Sequence, residues 1–234
     1  SGFTSVLSGM GTALKAAAAA TTAAVAGAAT AIGALTTKAI EGYAAQEQLV
    51  GGVETLFKTS SDTVVGYAND AYKTAGMSAN EYMETVTSFS ASLLASMNND
   101  TAAAAEKANV AITDMSDNAN KMGTDISLIQ NAYNGFAKQN YTMLDNLKLG
   151  YGGTKEEMQR LLDDASKLSG IKYDISSYSD VVDAIHVVQT EMGITGTTAK
   201  EASTTIEGSV SSMSSAWDNW VAGMADSEAN FSQL

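Results

Sequence analysis

The 234-residue chain has no cysteine, no proline, a single histidine (His186), and 13 basic against 26 acidic residues, for a formal charge of −13. The absence of Cys excludes disulfides, thiolate zinc sites and iron–sulfur clusters, and one imidazole excludes multi-histidine metal centres and histidine-rich catalytic sites. With Arg160 as the sole arginine, the chain also lacks the concentrated basic footprint of a nucleic-acid groove. Lack of Pro favours long uninterrupted helices, because Pro removes a backbone donor and clashes in a helix interior. A start on Ser and an unremarkable ending read as a segment of a longer protein.

Charge is unevenly distributed. No Asp or Glu precedes Glu41, so residues 1–40 carry only Lys15 and Lys38, while residues 41–234 hold 11 basic and 26 acidic residues. This reads either as two regions facing different environments or as a solvated acidic surface on the second part. Residues 16–37 are 22 uncharged positions bracketed by Lys15 and Lys38. As a helix they would span about 33 Å, close to a hydrocarbon core of about 30 Å. Their large apolar residues are few, Val25, Ile32 and Leu35, so hydropathy is marginal for membrane spanning. Gly27 and Ala31 lie at i, i+4 with Gly33 nearby, a spacing that lets helix backbones approach closely. The readings are a tight homo-oligomeric bundle seam or a conditional membrane segment, ahead of a cleaved signal peptide.

The remainder reads as helices separated by capped turns. Ser61 or Asp62 is expected to cap a helix ending near Gly76. Ser78 and Glu81 form a capping box, and the helix after it places Tyr82, Val86, Phe89, Leu93 and Met97 on one face. Asn99-Asp100 opens the next helix, where Ala105, Ala108, Ile112, Met115, Ala119 and Met122 recur at 3,4 spacing. Residues 123–125 look like a stop and restart, yet Ile126, Ile129, Tyr133 and Phe136 continue the spacing, leaving one long kinked helix as the alternative. After a loop with Gly150, Gly152 and Gly153, Thr154 and Glu157 form a second capping box. The following helix is expected to turn Met158, Leu161, Leu162, Ala165 and Leu168 inward and to end at Gly170. Residues 172–179 are irregular or briefly extended. Val181, Val182, Ile185, Val188 and Met192 form another amphipathic helix, stopped by Gly193. The last helix carries Ile206, Val210, Met213, Trp217, Trp220 and Met224. No run of alternating strand residues occurs. The expected fold is all-α, with long helices flanking a compact multi-helix domain: 1–58 an Ala-rich hydrophobic helical segment, 60–195 a compact core, and 196–234 an amphipathic C-terminal helix.

The chemistry of catalysis is thin. Residues 150–154 lack the Gly-Lys-Ser/Thr ending of a phosphate loop and follow no strand, so they read as a flexible interhelical turn. Glu156-Glu157 and Asp163-Asp164 diverge by about 100° on a helix and do not converge as an acid/base pair. His186 reads as a helix-border residue. No catalytic residue, cofactor or metal site is expected.

Two longer stretches resemble a known family. Residues 131–165 (NAYNGFAKQNYTMLDNLKLGYGGTKEEMQRLLDDA) and 193–217 (GITGTTAKEASTTIEGSVSSMSSAW) resemble the core region of phage tail tape measure proteins, and the resemblance runs from about Glu41 to Met224. It implies a structural function: helical proteins in several copies that fill the tail tube, set tail length during assembly and leave before the DNA. Some members are thought to help the genome cross the host membrane. The implied partners are copies of the same chain, tail tube and baseplate or tail-tip proteins, and the host membrane. The implied location is the virion tail, with the host membrane during infection. No catalytic residue carries over. Lys15, Val25, Gly27, Ala31, Ile32, Gly33, Leu35 and Lys38 mark the membrane or bundling segment. Ile206, Val210, Met213, Trp217 and Trp220 mark a candidate partner face. A helical translocator or pore-forming secreted protein, and the tape measure of a phage-tail-like bacteriocin, are the alternatives.

Overall fold

Short polar side chains set where helices begin. In the computed structural model, which describes residues 45–204 and 214–219, residues 45–57 form helix α1. The elements that follow are α2 (Ser61–Thr74), α3 (Ala79–Ser96), α4 (Thr101–Met122), α5 (Ile126–Phe136), α6 (Lys155–Ser169), α7 (Tyr178–Glu191) and α8 (Thr197–Thr204). Single 3-10 turns occupy Lys58–Ser60 and Leu144–Leu147, and residues 214–219 are helical. The fold is all-α, with no strand among the described residues. Ala45–Trp220 is one compact unit, and residues 1–44 lie outside the described residues.

Five helices start on a side-chain cap. Ser78 accepts from the Glu81 N–H, Asp100 from Ala102 and Ala103, Asp125 from Ser127, Thr154 from Glu157, and Ser177 from Asp180. Each satisfies a backbone donor the helix cannot, an effect of about 1 kcal/mol per cap. The expected cap on α2 is absent. That helix follows α1 through the 3-10 turn, and Ser60 at its N-cap makes no capping bond. The Ser60 hydroxyl is instead shared with Thr101 Oγ1 at 2.9 Å. The second capping box is also altered: Glu157 takes the Gly152 N–H at 3.0 Å, two residues upstream of the Thr154 N-cap.

Residues 123–125 are a true stop and restart. Gly123 adopts φ 62° as the left-handed end of α4, a conformation Gly reaches without a Cβ penalty, and Asp125 then caps α5. The alternative of one long kinked helix is therefore excluded.

Helix α4 is the axis of the unit. It touches α2, α3, α5, α7, α8 and both 3-10 turns. Ala104, Ala105, Ala108 and Ala111 are all fully buried, and their small side chains let several neighbours pack close at once. The expected stripes face the core: Tyr82, Val86, Phe89 and Leu93 from α3, Ile112 and Met115 from α4, Ile129, Tyr133 and Phe136 from α5, and Val181, Val182, Ile185 and Val188 from α7 are all buried. Packing begins before residue 60, with Val53 and Phe57 of α1 fully buried.

Two inward assignments are corrected. Leu168 is 49% exposed and Met192 44% exposed. Leu168 lies in the last turn of α6, just before the left-handed Gly170, and Met192 is the C-cap of α7. Each continues its helical spacing past the point where a partner helix covers it.

The segment joining α5 to α6 is also packed. Leu144, Leu147 and Leu149 are buried within it, and the Tyr141 hydroxyl donates to the Ile175 carbonyl at 2.9 Å. Residues 150–154, expected to be flexible, are stapled. Arg160 donates to the Gly150 carbonyl at 2.8 Å and pairs with Glu157, its guanidinium lies 4.3 Å from the centre of the Tyr151 ring, and Gly153 runs against the backbone of Thr142.

Candidate functional site

The densest chemistry lies where α4 meets α7 and the chain beyond it. Four polar residues in a five-residue stretch of α4 are buried: Asp114, Ser116, Asp117 and Asn118. Each carboxylate has a distinct partner. The Asp114 oxygens lie 2.9 and 3.0 Å from His186 Nδ1 on α7. Asp117 is fully buried and spends both oxygens on the start of α8, accepting from the Gly196 N–H at 2.6 Å and the Thr198 N–H at 2.8 Å. Its own carbonyl accepts from the Thr197 hydroxyl at 3.3 Å. Asp117 thus acts as a helix cap supplied from 80 residues away.

Asn118 and Gln189 tie the two helices between these carboxylates. The Asn118 amide donates to Gln189 Oε1 at 2.8 Å and to the Leu147 carbonyl at 3.0 Å, and Gln189 Nε2 donates to the Asp114 carbonyl at 3.4 Å. Outside this strip, Lys107 of α4 pairs with Asp183 of α7. Buried polar groups are costly unless hydrogen-bonded, so this network fixes how α7 docks on α4 more than it adds net stability.

Burial pushes the Asp114 carboxyl above the usual range, with His186 opposing that shift. The hydrogen bond to Asp114 raises the His186 imidazole above its ordinary value of 6.5, against the effect of its own partial burial. Burial likewise raises the phenols of Tyr82, Tyr133 and Tyr178.

A buried carboxylate orienting a half-exposed imidazole is two parts of a charge-relay site. No hydroxyl is hydrogen-bonded to the His186 ring among the described residues. No group of three or more His, Asp or Glu among the described residues could hold a metal ion. The contacts shown are ones that hold α7 and the start of α8 against α4. The adjacent carboxylates at Glu156-Glu157 and Asp163-Asp164 do diverge: Glu157 pairs with Arg160, Asp164 with Lys167 at 2.8 Å and the Tyr151 hydroxyl at 3.1 Å, and Asp163 accepts from Gln159 at 3.0 Å.

Of the residues marked as the membrane or bundling segment and as the partner face, Trp217 alone lies among the described residues. It is 55% exposed, in the short helical stretch 214–219. That stretch docks on α3, where Asn219 Oδ1 accepts from the Ala79 N–H at 2.9 Å. Ile206, Val210, Met213 and Trp220 lie outside the described residues, as does the whole 15–38 segment. No described helix is long and apolar enough to cross a membrane.

The α4–α7 joint has no signature in the sequence, since Asp114 and Asp117 belong to no apolar stripe and to no motif. Periodicity offered no signal: Ala104, Ala105, Ala108, Ala111, Ile112 and Met115 cover an arc of about 120°, the width of an ordinary one-sided helix face.

No family model matches the chain, and no curated protein or solved structure matches it.

Proposed function

We propose that the chain is a structural segment of a phage tail tape measure protein, acting during tail assembly and in the tail lumen through protein–protein contacts and without catalysis. The observation that carries this reading is the pair of motifs at 131–165 and 193–217. The all-α fold is compatible with the reading, and the acidic charge disfavours lingering attraction to DNA in a shared channel.

Within that role, residues 45–220 act as a folded unit and not as ruler. If residues 45–204 were one straight helix they would span about 240 Å at about 1.5 Å per residue. The longest helix described is the 22-residue α4, about 33 Å long. The unit therefore serves as a docking or initiation element, while extended helix elsewhere in the parent protein measures length. Its partners are copies of itself and tail tube or baseplate proteins, with Trp217 as a candidate contact and residues 15–38 as the bundling or membrane-facing segment.

Mass spectrometry of tail particles purified from the strain that encodes the chain tests this. Peptides from residues 45–220 at a few copies per particle support it. Their absence from particles, together with recovery of the chain as a secreted soluble or membrane-inserted protein, favours the translocator reading and overturns this one.

A further inference from the structure

The His186–Asp114 contact is the one place among the described residues where a side chain that titrates near neutral pH bridges two core helices. Asp114 is 1% exposed, while the His186 side chain is 37% exposed. One partner is therefore sealed in, and the other can exchange its proton with solvent. We propose that this contact is a pH-responsive brace, which fastens α7 and the chain following it to α4 while the imidazole is charged and loosens them when it is neutral.

The geometry confines the effect to one part of the fold. Along α4, Asp114 is followed within one turn by Asp117 and Asn118, which hold α8 and Gln189. Helix α8 has no buried residue of its own, and its placement is set by the Asp117 cap, by its contacts with α4 and α2, and by where α7 delivers the chain. Gln189 accepts from the Ile194 N–H at 2.9 Å through its carbonyl, while its side chain touches Asp114 and Asn118. A shift of α7 away from Asp114 is thereby passed to the start of α8.

The groups bearing on the pair come from three helices. On α4 they are Asp117 and Lys107, the latter opposing protonation of His186. On α7 itself Asp183 favours the charged imidazole and is in turn paired with Lys107. From α5 the buried Tyr133 phenol faces the Asp114 charge, with the Tyr178 phenol of α7 beside it. A histidine raised by folding contributes stability that is complete below its unfolded value of 6.5 and is lost as pH rises through the folded value. A buried carboxyl raised by folding works in the same sense at lower pH. Both groups therefore make the joint weaken as pH rises. Above the folded histidine value, Asp114 is a buried carboxylate whose counter-charge has gone.

The chain has one histidine, so its imidazole gives a single set of ring NMR signals and one titration curve. In the full 234-residue chain, His186 is expected to titrate above 6.5, and in Asp114→Asn to titrate lower than in the wild type, because the hydrogen bond that raises it is gone while its partial burial remains. Hydrogen exchange, corrected for intrinsic rates, is expected to show faster opening of residues 178–204 between pH 6 and 8.5 while α3 stays protected. Each unit by which the folded value exceeds 6.5 corresponds to a tenfold larger opening constant. His186→Gln, which retains a donor but cannot charge, is expected to remove the part of the pH dependence that follows the histidine titration, leaving only that of the Asp114 carboxyl. A wild-type imidazole titrating at or below 6.5 overturns the proposal without recourse to any variant, as does an unchanged pH-dependent opening in His186→Gln. Neither result bears on the proposed function.

Discussion

Replacing Gly153 with Ala tests whether the turn before α6 is a built structure or a slack connection. A Cβ on Gly153 would lie 2.2 Å from the Thr142 carbonyl oxygen, 2.9 Å from its carbon and 3.4 Å from its Cα. All three are backbone atoms, so no rotamer change can relieve the clash. The two strands of the loop would have to separate by more than about 1 Å to restore ordinary contact. Thr142 cannot retreat freely, because Tyr141 and Leu144 on either side of it are buried. Overpacking of this kind costs about 1–3 kcal/mol. For a chain of this size that corresponds to a fall in melting temperature of about 2–12 °C. Gly152→Ala is the matched control, since its Cβ would meet only the Glu157 Cγ, at 3.5 Å. That substitution is expected to be neutral or slightly stabilising through the unfolded chain. Urea unfolding followed by circular dichroism compares the two, with unchanged slopes showing that the midpoints report stability. If Gly153→Ala matches Gly152→Ala within about 0.5 kcal/mol, the close approach is not a constraint of the fold and the reasoning fails.

Asp117→Ala leaves the Gly196 and Thr198 N–H groups without their acceptor, and should cost about 2–4 kcal/mol with hydrogen exchange accelerated most at residues 194–204. Phe136→Ala removes a fully packed ring that lies 5.7 Å from Tyr133 and 6.0 Å from Tyr141, centre to centre, and should cost about 3–5 kcal/mol, read as a lower urea midpoint. Asp100→Ala removes the two-bond cap of α4 and should cost about 1 kcal/mol. On the acid side, hydrogen bonds from Arg160 and from the Gly152 N–H hold Glu157 below its ordinary 4.5, and Lys167 holds Asp164 below 3.8. Depressed carboxyls contribute stability above their unfolded values and lose it as pH falls through the folded ones. Melting temperature should therefore drop below about pH 4.5, less steeply in Glu157→Gln.

Local chemistry made most of the helix boundaries legible. Ser78, Asp100 and Thr154 cap where their sequence positions indicated, because a cap depends on the two or three residues after it. Ser61 and Asp62 did not cap, because α2 follows directly on α1 and its first turn is not a free end. The apolar stripes were legible through 3,4 spacing up to the last turn of each helix. Leu168 and Met192 were misread there, since spacing records a helix face and not how far a neighbour extends along it. The α4–α7 joint was not legible. Asp114, Asp117 and Asn118 are buried only because α7 and α8, some 70–80 residues later in the chain, close over them. The same residues on a helix packed on one side would be solvated.

The central claim, that this region is a folded element of a length-determining tail protein and not part of the ruler, is tested most directly by deleting residues 60–195 in frame from the gene of the parent protein and measuring tails by electron microscopy. The account predicts that assembly fails, because a folded docking unit is lost. Viable particles with tails shorter by roughly 200 Å, the length of 136 residues of extended helix at about 1.5 Å each, would contradict it.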